Sequence, residues 1–362
     1  MKNLVLCLDG TANEFARDKT NVVKMFGLAL QDEARQVSYY HPGVGTMEPP
    51  GAITPLMQSV TRGLGLAFGY GLLRDVGAAY VFLMNHYEPG DRVFLFGFSR
   101  GAYTARSLAS VLRLYGLLNS GNDALVPYVM RMIKGLGLRR NESDRKADFL
   151  LAEEFRRTFR TRDCKPWFVG VWDTVSSVGW IENPLYLPFT ANNPDIAHGR
   201  HAIAIDERRA FYRTNLWRPG ADGEIGGPRD LKQVWFPGVH CDVGGGYPEL
   251  ESGLSDIALR WMVREAVDCG LLIDEQRRDA LLLGTAAPTG SPPAAHESLT
   301  WKWWPCELLP KRHFDFARRK WTRRMNLGRR RTIPDGSSIH RSAYQRGDLY
   351  AAALPATAVI VD

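Results

Sequence analysis

Apolar positions along the chain come in short continuous runs, and these alternate with longer stretches of helical periodicity. Asn3 to Leu8 is a compact apolar run ending in Asp9-Gly10-Thr11, which predicts a buried strand entering a tight turn. Thr20-Asn21 offers a helix N-cap, and Val22, Val23, Met25, Phe26, Leu28 and Leu30 follow at the spacing of a largely buried helix. Gln36 to Tyr40 reads as a second strand. The Gly-rich stretch Gly63 to Gly71 then leads to a helix from about Leu72 to Tyr87, stopped by Pro89-Gly90. Arg92 to Phe98 is the least ambiguous strand, and a helix of small and apolar residues, Ala102 to Leu118, comes after it. Further strands are expected at Trp167 to Trp172 and Gln233 to Val239, with Pro237 placing the latter near an edge or a strand end. Ser255 to Cys269 reads as a helix closed by Gly270, whereas Asn183 to Pro194, rich in Pro, Asn and aromatics, reads as a surface loop or lid.

Continuous apolar strands alternating with helices specify an α/β fold, a mostly parallel sheet covered on both faces. The Thr/Ala/Pro/Gly-rich connector Thr285 to Pro293 sets the expected division. Residues 1–284 form a catalytic domain with a lid-like insertion at about 180–200, and residues 285–362 form a helical or irregular Trp/Arg-rich appendage packed on it. There are no internal repeats. With 362 residues, 45% of them hydrophobic and 23% charged, the chain can bury a large core and is neither disordered nor collagen-like. Five cysteines, Cys7, Cys164, Cys241, Cys269 and Cys306, lie far apart without a CxxC pair, which argues against a zinc or redox site and fits a reducing compartment. The first apolar run is too short for a signal peptide, and the longest one, Gly63 to Leu73, is well short of the ~18 residues a membrane span needs. The expected location is the cytoplasm of the producing cell.

Chemistry concentrates behind the strongest strand. Gly97-Phe98-Ser99-Arg100-Gly101 sits between strand and helix, the arrangement of a nucleophile elbow, in which the flanking glycines permit the sharp turn that projects the serine Oγ. The competing reading of Ser99 is a simple helix cap. A hydroxyl nucleophile needs a histidine base and an acid to orient it, and six histidines follow Ser99. Position relative to strand ends selects among them, because catalytic groups in open α/β sheets sit at the carboxyl ends of strands. Asp173 directly follows one predicted strand and His240 directly follows another. His340 is the rival base; His198, His201 and His296 are expected to be solvated surface residues. Asp242 is the rival acid, but two residues apart on one short segment it and His240 rarely face each other, and turn stabilisation accounts for it. An oxyanion hole draws one N–H from the residue after the nucleophile, Arg100, and one from the Asp9-Gly10-Thr11 turn, where Gly10 or Thr11 is placed to donate. No metal or cofactor is called for.

Five motifs in order, C-L-D-G-T (7–11), T-N-V (20–22), F-G-F-S-R-G-A-Y-T-A-R (96–106), V-G-V-W-D-T-V-S-S-V-G (169–179) and V-W-F-P-G-V-H-C-D-V-G-G-G-Y (234–247), resemble domain of unknown function 2235. This is the α/β-hydrolase domain of type VI secretion phospholipase effectors, and the resemblance runs from residue 1 to about 272, and weakly to I-H-R-S (339–342). It implies a serine hydrolase of acyl esters, a phospholipase, lipase or carboxylesterase, with Ser99, Asp173 and His240 as its triad. It also implies export by a signal-independent system if the chain is an effector. A non-catalytic lipid- or nucleic-acid-binding protein on the same scaffold, and an acyl transferase or amidase, stand as alternatives.

Charge changes the picture only locally. The net +7 resolves into ten basic residues against one acid between Lys311 and Arg331, leaving the remainder near neutral. Trp301, Trp303 and Trp304 stand beside this run, and with Arg318, Arg319, Arg323 and Arg324 they suggest contact with an anionic membrane surface. A structural role for these arginines is the other reading, and nucleic-acid binding is disfavoured.

Overall fold

In the computed structural model, residues 1–10, 18–43, 66–138, 142–175, 179–180, 183–184, 187–218, 226–284, 293–308, 310–315 and 320–362 are described. Eight strands build the central sheet: β1 (Asn3–Leu8), β2 (Gln36–His41), β3 (Arg92–Phe98), β4 (Pro166–Trp172), β5 (His198–Ala204), β6 (Asp230–Phe236), β7 (Ser338–His340) and β8 (Val359–Val361). Their order is β8-β7-β6-β5-β4-β3-β1-β2, and every pairing is parallel. Successive side chains alternate between the two faces. Leu4, Leu6, Leu8, Val93, Leu95, Val169 and Val171 pack under α2 (Leu66–His86), α3 (Arg100–Tyr115), α4 (Val126–Leu138) and α5 (Glu142–Thr158). Val5, Cys7, Phe94, Phe96, Phe168, Trp172 and Phe236 pack on the other face, under α1 (Asn21–Leu28) and α7 (Gly253–Asp268), the latter preceded by the short α6 (His240–Gly244). Both faces of the inner strands are therefore dry, which is why these strands read as unbroken apolar runs.

The expected elements fall where the pattern places them; α4 and α5 were not anticipated, and there are three further differences. First, residues 338–361 of the expected appendage add β7 and β8 to the main sheet, packing Ile339 with Ile203 and Trp235 in a small core of their own. Second, β5 is a strand that polar residues concealed. Rather than being solvated, His201 is fully buried and accepts the Thr174 N–H on Nε2 at 3.2 Å, while Arg200 pairs with Asp230 and Glu265 at 2.6 Å each. Third, the described residues of the expected lid, 187–197, are packed down instead of exposed. Tyr103 Oη accepts the Leu187 N–H, Ser110 donates to the Pro188 carbonyl and Arg106 to the Thr190 carbonyl, all from α3. Pro237 closes β6 at Phe236 as expected, although β6 is an interior strand. The five cysteines are free thiols.

Candidate active site

Ser99 joins β3 directly to α3, and that junction forces its backbone to φ 58°, ψ −117°, a strained region for a residue with a side chain. The strain is held from both sides. Ser99 N–H extends the ladder to the Trp172 carbonyl of β4 at 3.0 Å, and its own carbonyl receives Val175 N–H at 3.5 Å. The flanking glycines are required by space: a Cβ on Gly101 would stand 2.1 Å from the Leu8 carbonyl oxygen, and one on Gly97 would stand 2.5 Å from the Gly101 oxygen. The first turn of α3 is thus pressed against the end of β1, beside the turn at Asp9-Gly10. A side-chain cap from Ser99 to α3 is not formed.

Asp173 and His240 follow β4 and β6, and the fold brings them together: His240 Nδ1 lies 2.5 Å from Asp173 Oδ2, both residues buried. Asp173 Oδ1 also accepts the Ala204 N–H at 3.0 Å. Burial pushes the Asp173 carboxyl up, but the Arg331 guanidinium and the His240 hydrogen bond outweigh it and hold the group well below the usual carboxylate range. For His240 burial wins, opposed by the bond to Asp173, so the imidazole is held below its ordinary value and stays neutral at neutral pH. Its ring is flanked by Phe98 at 4.6 Å and by Tyr212 at 4.7 Å between centroids, so the residue preceding Ser99 touches the candidate base. Gly244, on the turn after His240, leaves the room Phe98 needs, since a Cβ there would fall 1.9 Å from its ring.

The rival residues have other partners. His340 sits at the end of β7, bonded to Ser342 Oγ at 2.8 Å and stacked on Phe236 at 4.8 Å, and burial pulls it down to about 4. Asp242 accepts the Val239 N–H at 2.9 Å, the turn role expected of it, and pairs with His296 at 2.6 Å. His296, expected to be solvated, is thus bridged between Asp242 and Glu251 and stacked on Tyr247 at 3.7 Å. Of the expected oxyanion donors, Gly10 gives its N–H to Asp9 Oδ1 at 2.6 Å, and Thr11 lies outside the described residues. Arg100 is the first residue of α3, at the positive end of the helix. The Asp9 carboxylate accepts from Thr20 Oγ1 at 2.7 Å and Tyr40 Oη at 2.9 Å, tying the end of β1 to the start of α1.

Two contributors were not foreseen. Glu207, just past β5, accepts the His240 N–H at 3.2 Å and pairs with Arg209 at 2.9 Å, which stacks 3.5 Å above the Tyr212 ring. The strand-end rule that selects Asp173 would have pointed to Asp206 and Glu207 together had β5 been recognised. Arg331 grips Asp173 from the basic run, and nothing in its sequence context distinguishes it from its neighbours. Trp303, expected at a membrane, turns inward instead, with its ring 5.7 Å from Tyr212 and 5.2 Å from the Arg209 guanidinium carbon. Trp301 and Trp304 are exposed, as are Arg323 and Arg324; Arg318 and Arg319 lie outside the described residues. Among the described residues no cluster of His, Cys, Asp and Glu is placed to hold a metal ion, and no helix is long and apolar enough to cross a membrane.

Comparison with known proteins adds relatives to this geometry. An uncharacterized Saccharomyces cerevisiae protein, YEL023C, is 34% identical over 226 residues, covering 60% of this chain and 33% of its own. An uncharacterized protein from Pseudomonas aeruginosa of known crystal structure is 19% identical with a TM-score of 0.42, covering 76% of this chain and 47% of its own. The Tle1 effector bound to the VgrG spike of the type 6 secretion system is 17% identical with a TM-score of 0.36, covering 70% and 52%. The chain thus spans about a third of the yeast relative and about half of each solved chain. Residues 2–265, which hold Ser99, Asp173 and His240, match the family described as T6SS, Phospholipase effector Tle1-like, catalytic domain, and the chain belongs to that family.

Proposed function

We propose that the chain is a serine hydrolase that cleaves acyl esters of glycerophospholipids through an acyl-enzyme. The observation that carries this reading is the 2.5 Å contact between Asp173 and His240, buried beside the strained Ser99 turn in a chain of the Tle1-like family. In this mechanism the neutral Nε2 of His240 takes the Ser99 proton as Oγ attacks the ester carbonyl. Asp173, ionised, fixes the tautomer with the proton on Nδ1 and stabilises the imidazolium that forms. The oxyanion is held by the Arg100 N–H, aided by the positive end of α3, and, since the Gly10 N–H is committed to Asp9, by the N–H of Thr11. His240 then protonates the departing alcohol, and the acyl-enzyme is cleaved by water activated in the same way.

The exposed Trp301 and Trp304, with Leu308 and the exposed Arg323 and Arg324, support docking of this face on an anionic bilayer. Export of the chain by a signal-independent route fits the effector family it belongs to. A fluorophosphonate probe tests the chemistry: it should label the native protein, and Ser99→Ala should abolish both labelling and release of fatty acid from phosphatidylglycerol vesicles. Labelling that persists in Ser99→Ala would exclude Ser99 as nucleophile. Wild-type vesicle binding by a Trp301→Ala/Trp304→Ala double variant would exclude the docking face.

A further inference from the structure

Arg331 is drawn out of the basic run onto the acid of the proposed triad. Its Nη1 donates to Asp173 Oδ1 at 2.5 Å, and its Nη2 donates at 3.0 Å to Oδ2, the oxygen that also receives His240 Nδ1. The guanidinium is fixed from behind. Nε and Nη2 donate to the Tyr212 carbonyl at 3.0 and 2.5 Å, and Nη1 donates to the Ala204 carbonyl at 3.1 Å. Only 8% of the Arg331 side chain and 1% of the Asp173 side chain are exposed, so the pair is little screened by water. Two cations, one permanent and one that forms during the reaction, would therefore share a single carboxylate. Arg331 lies beyond the family match, which ends at residue 265.

We propose that Arg331 is a positioning residue of this site: its fork fixes the plane in which Asp173 meets His240, and its charge limits how strongly Asp173 raises the basicity of His240. The inference rests on the reading of Ser99, His240 and Asp173 given above. A bidentate guanidinium defines carboxylate orientation in a way a point charge does not. A carboxylate already neutralised by arginine stabilises imidazolium less, which keeps His240 neutral and ready to accept a proton lower in the pH range. The other groups facing His240 and Asp173 are Glu207, Arg209 and Tyr212 from the segment after β5, Cys241 beside His240, and His201 on β5. None of these side chains is itself altered when only Arg331 is changed.

The test compares native protein, Arg331→Gln and Arg331→Lys by the pH dependence of kcat/KM on p-nitrophenyl butyrate and of the rate of fluorophosphonate labelling. Arg331→Gln should move the acid limb of both profiles up by about one pH unit and lower kcat about tenfold with KM little changed. Arg331→Lys keeps the charge and loses the fork, so its limb should stay at the native position while kcat falls several-fold. An unmoved acid limb in soluble Arg331→Gln overturns the proposal and leaves Arg331 a structural staple. If Arg331→Gln does not fold, Arg331→Lys decides, and native kcat in that variant overturns the proposal. A native protein that neither labels nor hydrolyses esters overturns the serine-hydrolase reading along with it. An active native protein whose acid limb is unmoved by Arg331→Gln overturns this inference alone.

Discussion

Single residues at the Ser99 turn show how little freedom the backbone has there. Gly101 is needed for clearance: a methyl group at that position would meet the carbonyl oxygens of Leu8 and Asp9, at 2.1 and 2.4 Å, and neither can move without displacing β1. Gly101→Ala should therefore destabilise the protein by more than about 2 kcal/mol, read as a lower midpoint in urea, because overpacking against backbone has no flexible side chain to absorb it. The Gly-x-Ser-x-Gly spacing announced this turn, since only a residue without Cβ tolerates such an approach. The candidate acid was named from its place after a strand, and the fold seats Asp173 against His240. The arginine that grips it was not, because its ion pair joins positions 158 residues apart.

Among the elements, β5 is the informative one. Its run His198-Gly199-Arg200-His201 carries no apolar periodicity, and it lies inside the sheet because His198 and Arg200 find acidic partners there. Arg200 is clasped by Glu265 of α7 and by Asp230 of β6, whereas Lys232, half exposed, reaches the same Glu265 at 2.8 Å. These two cations should differ sharply in worth. Removing Arg200 leaves the buried Glu265 carboxylate with only the half-exposed Lys232 and should cost about 3 kcal/mol or more in Arg200→Ala. Lys232→Ala removes a solvent-screened partner and should cost less than about 1 kcal/mol. Equal losses in denaturant titrations of the two variants would show that burial does not set the value of this network. Helix α1 shows the opposite case: Thr20 caps it by accepting the Val23 N–H at 3.3 Å, and the Thr-Asn pair alone was enough to locate its start.

Across the whole molecule, buried neutral histidines link stability to pH. His201 is pulled down to about 3, first by burial and then by the nearby Arg106 charge, so the folded protein leaves it unprotonated where the unfolded chain, with an ordinary value near 6.5, takes up a proton. Unfolding then binds more protons, so this contribution is complete above about pH 6.5 and is lost steadily as pH falls towards 3. His201→Gln, which can still accept the Thr174 N–H, should flatten the fall of Tm between pH 6.5 and 4 relative to the native protein, as followed by thermal melts. An unchanged slope would place the acid sensitivity elsewhere. At this scale the division between local pattern and tertiary contact is clear. By itself the sequence determined the α/β class, the tight strand-to-helix turn at Ser99, the two strand ends carrying Asp173 and His240, and the local origin of the net charge, because each depends on neighbours within a few residues. Only the tertiary structure decided that β5 is a strand, that Trp303 turns inward, that the C-terminal residues complete the sheet and that Arg331 reaches Asp173. Each of those outcomes depends on a partner far along the chain that pays for burying a polar or aromatic group, and local periodicity carries no record of such partners.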